Sequence, residues 1–441
     1  MTDPRASSVS AVRRRTVIDA LRRGAVPDSG LDLLATGLDR FEDALDAELT
    51  AVASSEASVF KAVRGEYGSG KTFFTRWLGE RAKRLGYAVS EIQISETETP
   101  LHRLETVYRR LTERLATSSF RPSALRPVID AWFYALEEDA LADGAGEEEL
   151  PEQVEKLLTA RLSEVSRHAP SFATALRGYR TALVRGDEAT AAAVLAWLGG
   201  QPHVAAAARR SAGVRGDLDH FGAFGFLQGL LTVLRDSGHR GLFVVLDEVE
   251  TLQRVRSDAR DKALNALRQL IDEVHSGRFP GLYLVITGTP AFYDGPQGVQ
   301  RLAPLAQRLA TDFTTDPRFD NPRAVQLRLP GFTQGSLVTL GTTIRDLYAD
   351  GASAPERIGR LAEDAYIADL AAAVGGALGG KVGVAPRLFL KKLVGDVLDR
   401  IDQFADFDPR QHYRLTVSAS ELTEVERNVA AAAADDVELN V

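Results

Sequence analysis

The chain has 441 residues, of which 44% are hydrophobic and 26% charged, and its formal net charge is −8. That length and balance suit a globular protein of two or three structural units, without the bulk charge of a nucleic-acid binder. The absence of cysteine excludes disulfides, thiol catalysis and Cys-ligated zinc, and the 7 histidines show no metal-ligand spacing.

No apolar run approaches the roughly 20 residues needed to cross a bilayer. The arginines near the N-terminus lack the apolar core of a secretory signal. A cytoplasmic protein without membrane contact is expected. Charge is uneven along the chain: Arg13, Arg14, Arg15, Arg22 and Arg23 crowd one end, while Glu137, Glu138, Asp139, Asp143 and Glu147 to Glu149 form an acidic run. Both read as solvated helix faces.

In chain order, residues 10–50 predict two amphipathic helices, broken at Gly24 to Gly30 where Pro27, Asp28 and Ser29 supply turn chemistry. Val59 to Val63 is a β-prone run that ends just before Gly65. Phe73 to Leu85 has helical spacing and stops at Gly86, and Tyr87 to Ile94 alternates as a second strand. From Pro100 to about residue 235 the pattern is helical, which is far too long for an ordinary connection. Leu242 to Leu246 and Leu282 to Ile286 are wholly apolar, as strands buried on both faces are. Val325 to Leu329 is a fifth strand, and helical spacing returns from Ser336 to Ile401.

The expected fold is therefore α/β, a P-loop NTPase with a parallel five-stranded sheet, a large helical insertion and a C-terminal helical lid. Its divisions are an N-terminal helical segment (1–50), a P-loop core (51–330, insertion about 100–235, a separate helical layer or subdomain), a lid (331–405) and a C-terminal tail (406–441). Ala430 to Val441 reads as a frayed end.

Gly65-Glu66-Tyr67-Gly68-Ser69-Gly70-Lys71-Thr72 fits G-x-x-x-x-G-K-[ST] without a mismatch. Glycines let backbone N–H groups turn inward around phosphate oxygens, Lys71 faces the β- and γ-phosphates, and Thr72 ligates Mg²⁺. The helix beginning there adds its N-terminal dipole. Phe73, next in the chain, completes the nucleotide-binding set. Position between a predicted strand and a predicted helix is the context that separates this motif from a chance Gly-rich turn. ATP and Mg²⁺ are the expected ligands.

The apolar strand ending in Asp247-Glu248 delivers carboxylates to the sheet edge where open α/β sheets bind ligands. Asp247 would hold Mg²⁺ and Glu248 would orient and deprotonate the attacking water, the pattern of the additional-strand class of P-loop enzymes. Glu250 is the fallback base. Thr287, at the end of the next apolar strand, is the first choice for sensing the γ-phosphate and Thr289 the second, although either could be an ordinary turn threonine. Arginines commonly complete the charge balance. Arg301 and Arg308 lie seven positions apart, on one face of a predicted helix. Arg387 follows Pro386 at a predicted helix start. Each is as readily a surface arginine.

Ala385-Pro386-Arg387 resembles the start of the lid helix in AAA+ ATPases of the origin-recognition and helicase-loader branch. More closely, the stretches Val17–Gly24, Gly37–Arg40, Val63–Thr72, Pro100–Tyr108, Leu246–Glu250 and Thr287–Asp294 resemble the BREX phage-defence ATP-binding proteins of the BrxC/BrxD P-loop family, nearest the BrxD type. The likeness covers most of residues 10–400. It implies an AAA+ ATPase in bacterial anti-phage defence, encoded beside a large helicase that it loads or remodels on DNA. The family's ATP-site roles fall on Lys71, Thr72, Asp247, Glu248 and Arg387. Expected partners are that helicase and other defence-system proteins, with DNA bound directly or through them, and further copies of the chain on ATP binding. Origin-binding relatives end in a winged helix, for which the residues after Arg400 are too few, so sequence-specific DNA binding by this chain lacks support. Two other readings stand beside the motor or loader: a nucleotide-gated oligomeric switch or scaffold with slow turnover, and a small-substrate kinase, which the insertion and the Pro-Arg pair disfavour.

Overall fold

In a computed structural model of the chain, the described residues are 9–146, 148–377, 386–418, 420–422 and 427. Glu147 of the acidic run, Ala385 before Pro386 and the tail segment 430–441 lie outside them.

Five strands, β1 (Val59–Arg64), β2 (Ala88–Gln93), β3 (Leu242–Asp247), β4 (Leu282–Gly288) and β5 (Gln326–Arg328), form one sheet in the order β2-β3-β4-β1-β5. Every pairing is parallel. The central strands β3 and β4 are buried along their whole length, which explains why their sequences are unbroken apolar runs rather than alternating ones. Strand β4 separates β1 from β3. Its register sets Thr287 beside Val63, while Gln93 of β2 lies beside Asp247 of β3. All four strand ends therefore converge on one edge.

Successive side chains of a strand point to opposite faces, and each face has its own cover. Phe243 and Val245 join Tyr283 and Val285 in a core closed by α2 (Asp39–Ser54) and α3 (Lys71–Arg84), through Phe41, Leu45, Phe74 and Trp77. Val244 and Leu246 face the other way, into a second core.

That second core continues into the helices between β2 and β3. These are α4 (Leu104–Arg114), α5 (Leu125–Ala142), α6 (Leu150–Arg161), α7 (Ser163–His168), α8 (Pro170–Val184), α9 (Glu188–Leu198), α10 (Ala206–Ser211) and α11 (Gly222–Asp236). Phe226 of α11 is their hub. Its ring centroid lies 5.2 Å from Phe172, 5.4 Å from Trp197 and 5.7 Å from Tyr108. The insertion shares one hydrophobic cluster with the sheet face, because the apolar stripe of α4 and α11 has that face to bury against.

After β3 come α12 (Ser257–His275), α13 (Pro290–Asp294) and α14 (Ala303–Arg308); after β5 come α15 (Gln334–Ala349), α16 (Pro355–Leu361), α17 (Asp364–Ala377) and α18 (Pro386–Lys391). The chain then runs through a π-helical stretch, 392–398, into α19 (Asp399–Gln403) and α20 (Pro409–His412). These last helices build a third core around Leu337, Ile344, Ile367, Phe389, Leu393 and Val397.

The N-terminal helix α1 (Ala11–Arg22) belongs to that C-terminal core, giving it Val17, Ile18 and Leu21. Only α2 packs on the sheet. The two expected helices are present, but the break between them runs over 23–38 and contains a 3₁₀ turn, Leu31–Leu34. Leu31 of that turn is buried with the sheet and Leu34 with the C-terminal helices. Two of the clustered arginines are not simply solvated: Arg13 pairs with Asp32, and Arg22 pairs with Asp19 and reaches Asp399 at 2.6 Å. In the acidic run, Asp139 pairs with Arg161 at 2.9 Å. Among the described residues no helix is long and apolar enough to cross a membrane.

Asp399 is 9% exposed and takes two bonds from Arg22 and one of 2.7 Å from Tyr348. Replacing it with Ala leaves the Tyr348 hydroxyl and the Nε and Nη2 of Arg22 without that acceptor. Asp399→Ala should cost about 1–3 kcal/mol and expose α1 to protease, read by a thermal melt and by limited proteolysis near Arg22.

Candidate nucleotide site

The loop between β1 and α3 has the backbone its sequence requires. Gly68 and Gly70 sit at φ 79° and 88°, in the left-handed region that glycine tolerates. At Gly65 the constraint is contact instead: a Cβ there would collide with Ser69 Oγ. That hydroxyl is buried and has no hydrogen-bond partner in the protein. A buried polar atom costs free energy unless something bonds it, and an orphaned hydroxyl inside this loop suits a phosphate oxygen. Lys71, 8% exposed, donates to the carbonyls of Gly65 at 2.9 Å and Glu66 at 3.3 Å. Its ammonium lies 5.1 Å from the centre of the Tyr67 ring.

Asp247 is the junction of the site. Its carboxylate is 5% exposed and accepts from the Thr72 hydroxyl at 3.0 Å, the Glu248 N–H at 3.1 Å and the Thr287 hydroxyl. Glu248 has φ 61° and ψ 42°, a left-handed conformation that costs a non-glycine residue roughly 1–3 kcal/mol and is often found at functional sites. The Thr287 hydroxyl also accepts from the Glu248 N–H at 3.0 Å, so strand β4 helps to hold the turn in that conformation. Beyond the turn, the Glu248 side chain accepts from Gln93 Nε2 at 2.9 Å. Thr72 and Asp247, hydroxyl beside carboxylate, form the hard oxygen pair that a Mg²⁺ bound mainly by phosphates and water would need.

Around these groups lies a cavity of about 660 Å³, within the range of small-molecule sites. Tyr67 to Phe73, Asp247, Glu248 and Glu250 line one side. Val26, Pro27 and Leu38 from the N-terminal segment, Phe332 after β5 and Leu340 of α15 give the opposite side an apolar character. Arg387, on the first turn of α18, also lines it. Its Nη2 donates to the Glu421 carbonyl at 2.6 Å, and the guanidinium packs against Gly24 so closely that a Cβ there would lie 3.3 Å from Nη1.

The loop, Asp247, Glu248 and Arg387 are thus brought together around one space, with the Gly65 and Glu66 carbonyls turned to Lys71. Other expected positions fall elsewhere. Thr287 is fully buried and is not among the cavity-lining residues; its hydroxyl is committed to Asp247 and Glu248. Thr289, 4% exposed, precedes α13. Arg301 and Arg308 do not share a helix. Arg301 closes a 3₁₀ turn and Arg308 ends α14, because Pro304 cannot sit inside a continuous helix. Neither lines the cavity: Arg301 binds Asp261 and Ser257, and Arg308 is clasped by Asp272. All three partners are on α12.

Gln93 and Arg254, which lines the cavity near Tyr67, were not anticipated. The signal for Gln93 was present as the last residue of an alternating strand, but it needed the β2-β3 pairing to acquire meaning.

A Gly65→Ala substitution forces Ser69 or the loop to move. Overpacking of this kind costs about 1–3 kcal/mol, so ATP should bind roughly ten- to a hundredfold more weakly with the far-ultraviolet circular dichroism unchanged; titration with a fluorescent ATP analogue reads it. No curated protein matches the chain at a significant level. Across residues 9–417 it matches the family described as BREX system ATP-binding protein BrxC/D. A match over nearly the whole described chain, with an intact phosphate loop at its centre, establishes that the chain belongs to this family of ATP-binding proteins of BREX systems.

Proposed function

We propose that the protein is an AAA+-type ATPase of phage defence that hydrolyses ATP to ADP and phosphate and uses the cycle to load or remodel a helicase partner on DNA. One observation carries the hydrolytic part: a buried Asp247 bonded to Thr72 of the phosphate loop, followed by a Glu248 whose backbone is held at positive φ. A site that only bound nucleotide would have no need of that turn.

In this reading the triphosphate lies in the loop, with its oxygens on the inward N–H groups and on the Ser69 hydroxyl. Lys71 releases the Gly65 and Glu66 carbonyls and turns to the phosphates. Thr72 and Asp247 would hold Mg²⁺, which supplies charge neutralisation at the phosphates. Val26, Pro27, Leu38 and Phe332 receive the base. Glu248 orients the attacking water and takes its proton, which requires the bond from Gln93 to open. Thr287 keeps the Asp247–Glu248 turn aimed. Arg387 lies on the C-terminal helices, which we read as the lid, and there it adds a cation on the side opposite the loop. The order β2-β3-β4-β1-β5 supports the additional-strand class, since β4 lies between β1, which leads into the phosphate loop, and β3, which ends in Asp247. Arg301 and Arg308 have no part in this scheme within one chain.

The slow-turnover switch is favoured by one observation, the Gln93–Glu248 bond, which engages one oxygen of the base. Turnover would then wait on whatever breaks it, such as a partner, DNA or a second copy of the chain.

Glu248→Gln should keep ATP binding but lower the ATPase rate by about 10²- to 10⁴-fold, as measured by phosphate release; an undiminished rate would remove Glu248 from this role. Adding DNA and the helicase encoded nearby should raise the wild-type rate. If neither does, while sizing chromatography with ATP gives an oligomer that forms equally with Glu248→Gln, the switch reading replaces the loader.

A further inference from the structure

Glu250 is the buried ionisable group that the scheme above leaves without a task. It sits in the 3₁₀ turn Val249–Gln253, 4% exposed, and lines the nucleotide cavity. Neither carboxylate oxygen has a hydrogen-bond partner. Lys71 is the cation paired with it, Nζ to Oε1 at 3.7 Å. Its own backbone N–H helps the charged form as well, while the nearby acids Asp247 and Glu248 oppose it. Burial pushes the carboxyl above the usual range, and Lys71 pulls it back. Stability gives no reason to keep such a residue, because a buried charge without hydrogen bonds costs more than an apolar side chain of the same size.

We propose that Glu250 is a positioning residue for Lys71: a carboxylate that holds its ammonium and that the phosphates of an incoming nucleotide must displace. This rests on the ATP-binding reading of the same site. Two of the three Lys71 protons go to the Gly65 and Glu66 carbonyls, and the third side of the ammonium faces Glu250. The lysine is thereby kept folded back against its own loop. A β- or γ-phosphate wins it by carrying more charge and better hydrogen-bond geometry. The effect of Glu250 is to weaken every nucleotide that reaches Lys71, ADP included. Nucleotides too short to reach Lys71 are untouched. Glu250 therefore narrows the preference for di- and triphosphates over AMP and hastens release of the product.

The test compares wild type, Glu250→Gln and Glu250→Met, each alone and combined with Lys71→Met, by titration with ATP, ADP and AMP. Both Glu250 variants should bind ATP and ADP roughly tenfold more tightly, the scale of a screened charge–charge interaction at this separation, with AMP unchanged. In steady state, KM for ATP should fall while kcat falls or stays level, limited by ADP release. In the Lys71→Met background the gain should vanish. Weaker or unchanged ATP binding in the Glu250 variants overturns the proposal, as does an equal shift for AMP or a gain that survives loss of Lys71. Should one variant fail to fold, the other carries the comparison. A wild type that binds no ATP would instead defeat the functional reading beneath it, which is a different result.

Discussion

Three elements of this protein meet on the carboxylate of Asp247. The phosphate-loop helix reaches it through Thr72, strand β4 through Thr287, and the turn beyond β3 through the Glu248 N–H. A carboxylate at 5% exposure is tolerable only if its lone pairs are used, and here they are used to fix the relative positions of the parts. The positive φ of Glu248 follows from this. Its N–H must point back to Asp247 and Thr287, and the backbone can do so only in a left-handed turn. The rest of the fold places those parts. A parallel sheet with β4 inserted between β1 and β3 brings the strand ends to one edge, and the covers on its two faces hold that edge rigid.

The electrostatics of the site describe a machine at rest. Lys71 is folded onto its own loop, Glu248 is bonded to Gln93, and Arg387 is bonded to the Glu421 carbonyl. Each of these groups, to which the proposed chemistry assigns a role, is satisfied locally by a neighbour that a ligand could replace. Ser69 Oγ and the two oxygens of Glu250 are the exceptions, buried and without hydrogen-bond partners. They sit on the two sides of Lys71, where an arriving phosphate would both supply a bond and take one away.

Much of this could be read from the residues alone. Strands β1, β3 and β4 are announced by short β-prone or apolar runs that end at Gly65, Asp247 and Thr287, and β2 by alternation. The phosphate loop is explicit because its glycines answer to backbone geometry, which the sequence states directly. What the sequence did not show depends on partners far along the chain. Thr287 looks like a sensor until its hydroxyl is seen bonded to Asp247. Arg301 and Arg308 look paired until Pro304 separates them and α12 claims each one. The helical insertion looks detachable because periodicity marks which face of a helix is apolar but not what covers it. Gln93 is invisible until β2 is known to lie against β3.

The N-terminal arm has a mechanical consequence. Helix α1 is fastened to the C-terminal helices by Val17, Leu21 and the Arg22–Asp399 pair, whereas α2 is fastened to the sheet. The stretch between them crosses the mouth of the nucleotide cavity, and its turn has one leucine in each core. Any rotation of the C-terminal helices relative to the sheet must therefore stretch or slacken this short tether. The sheet and the C-terminal helices are thus joined at two places, by this arm and by the connection after β5.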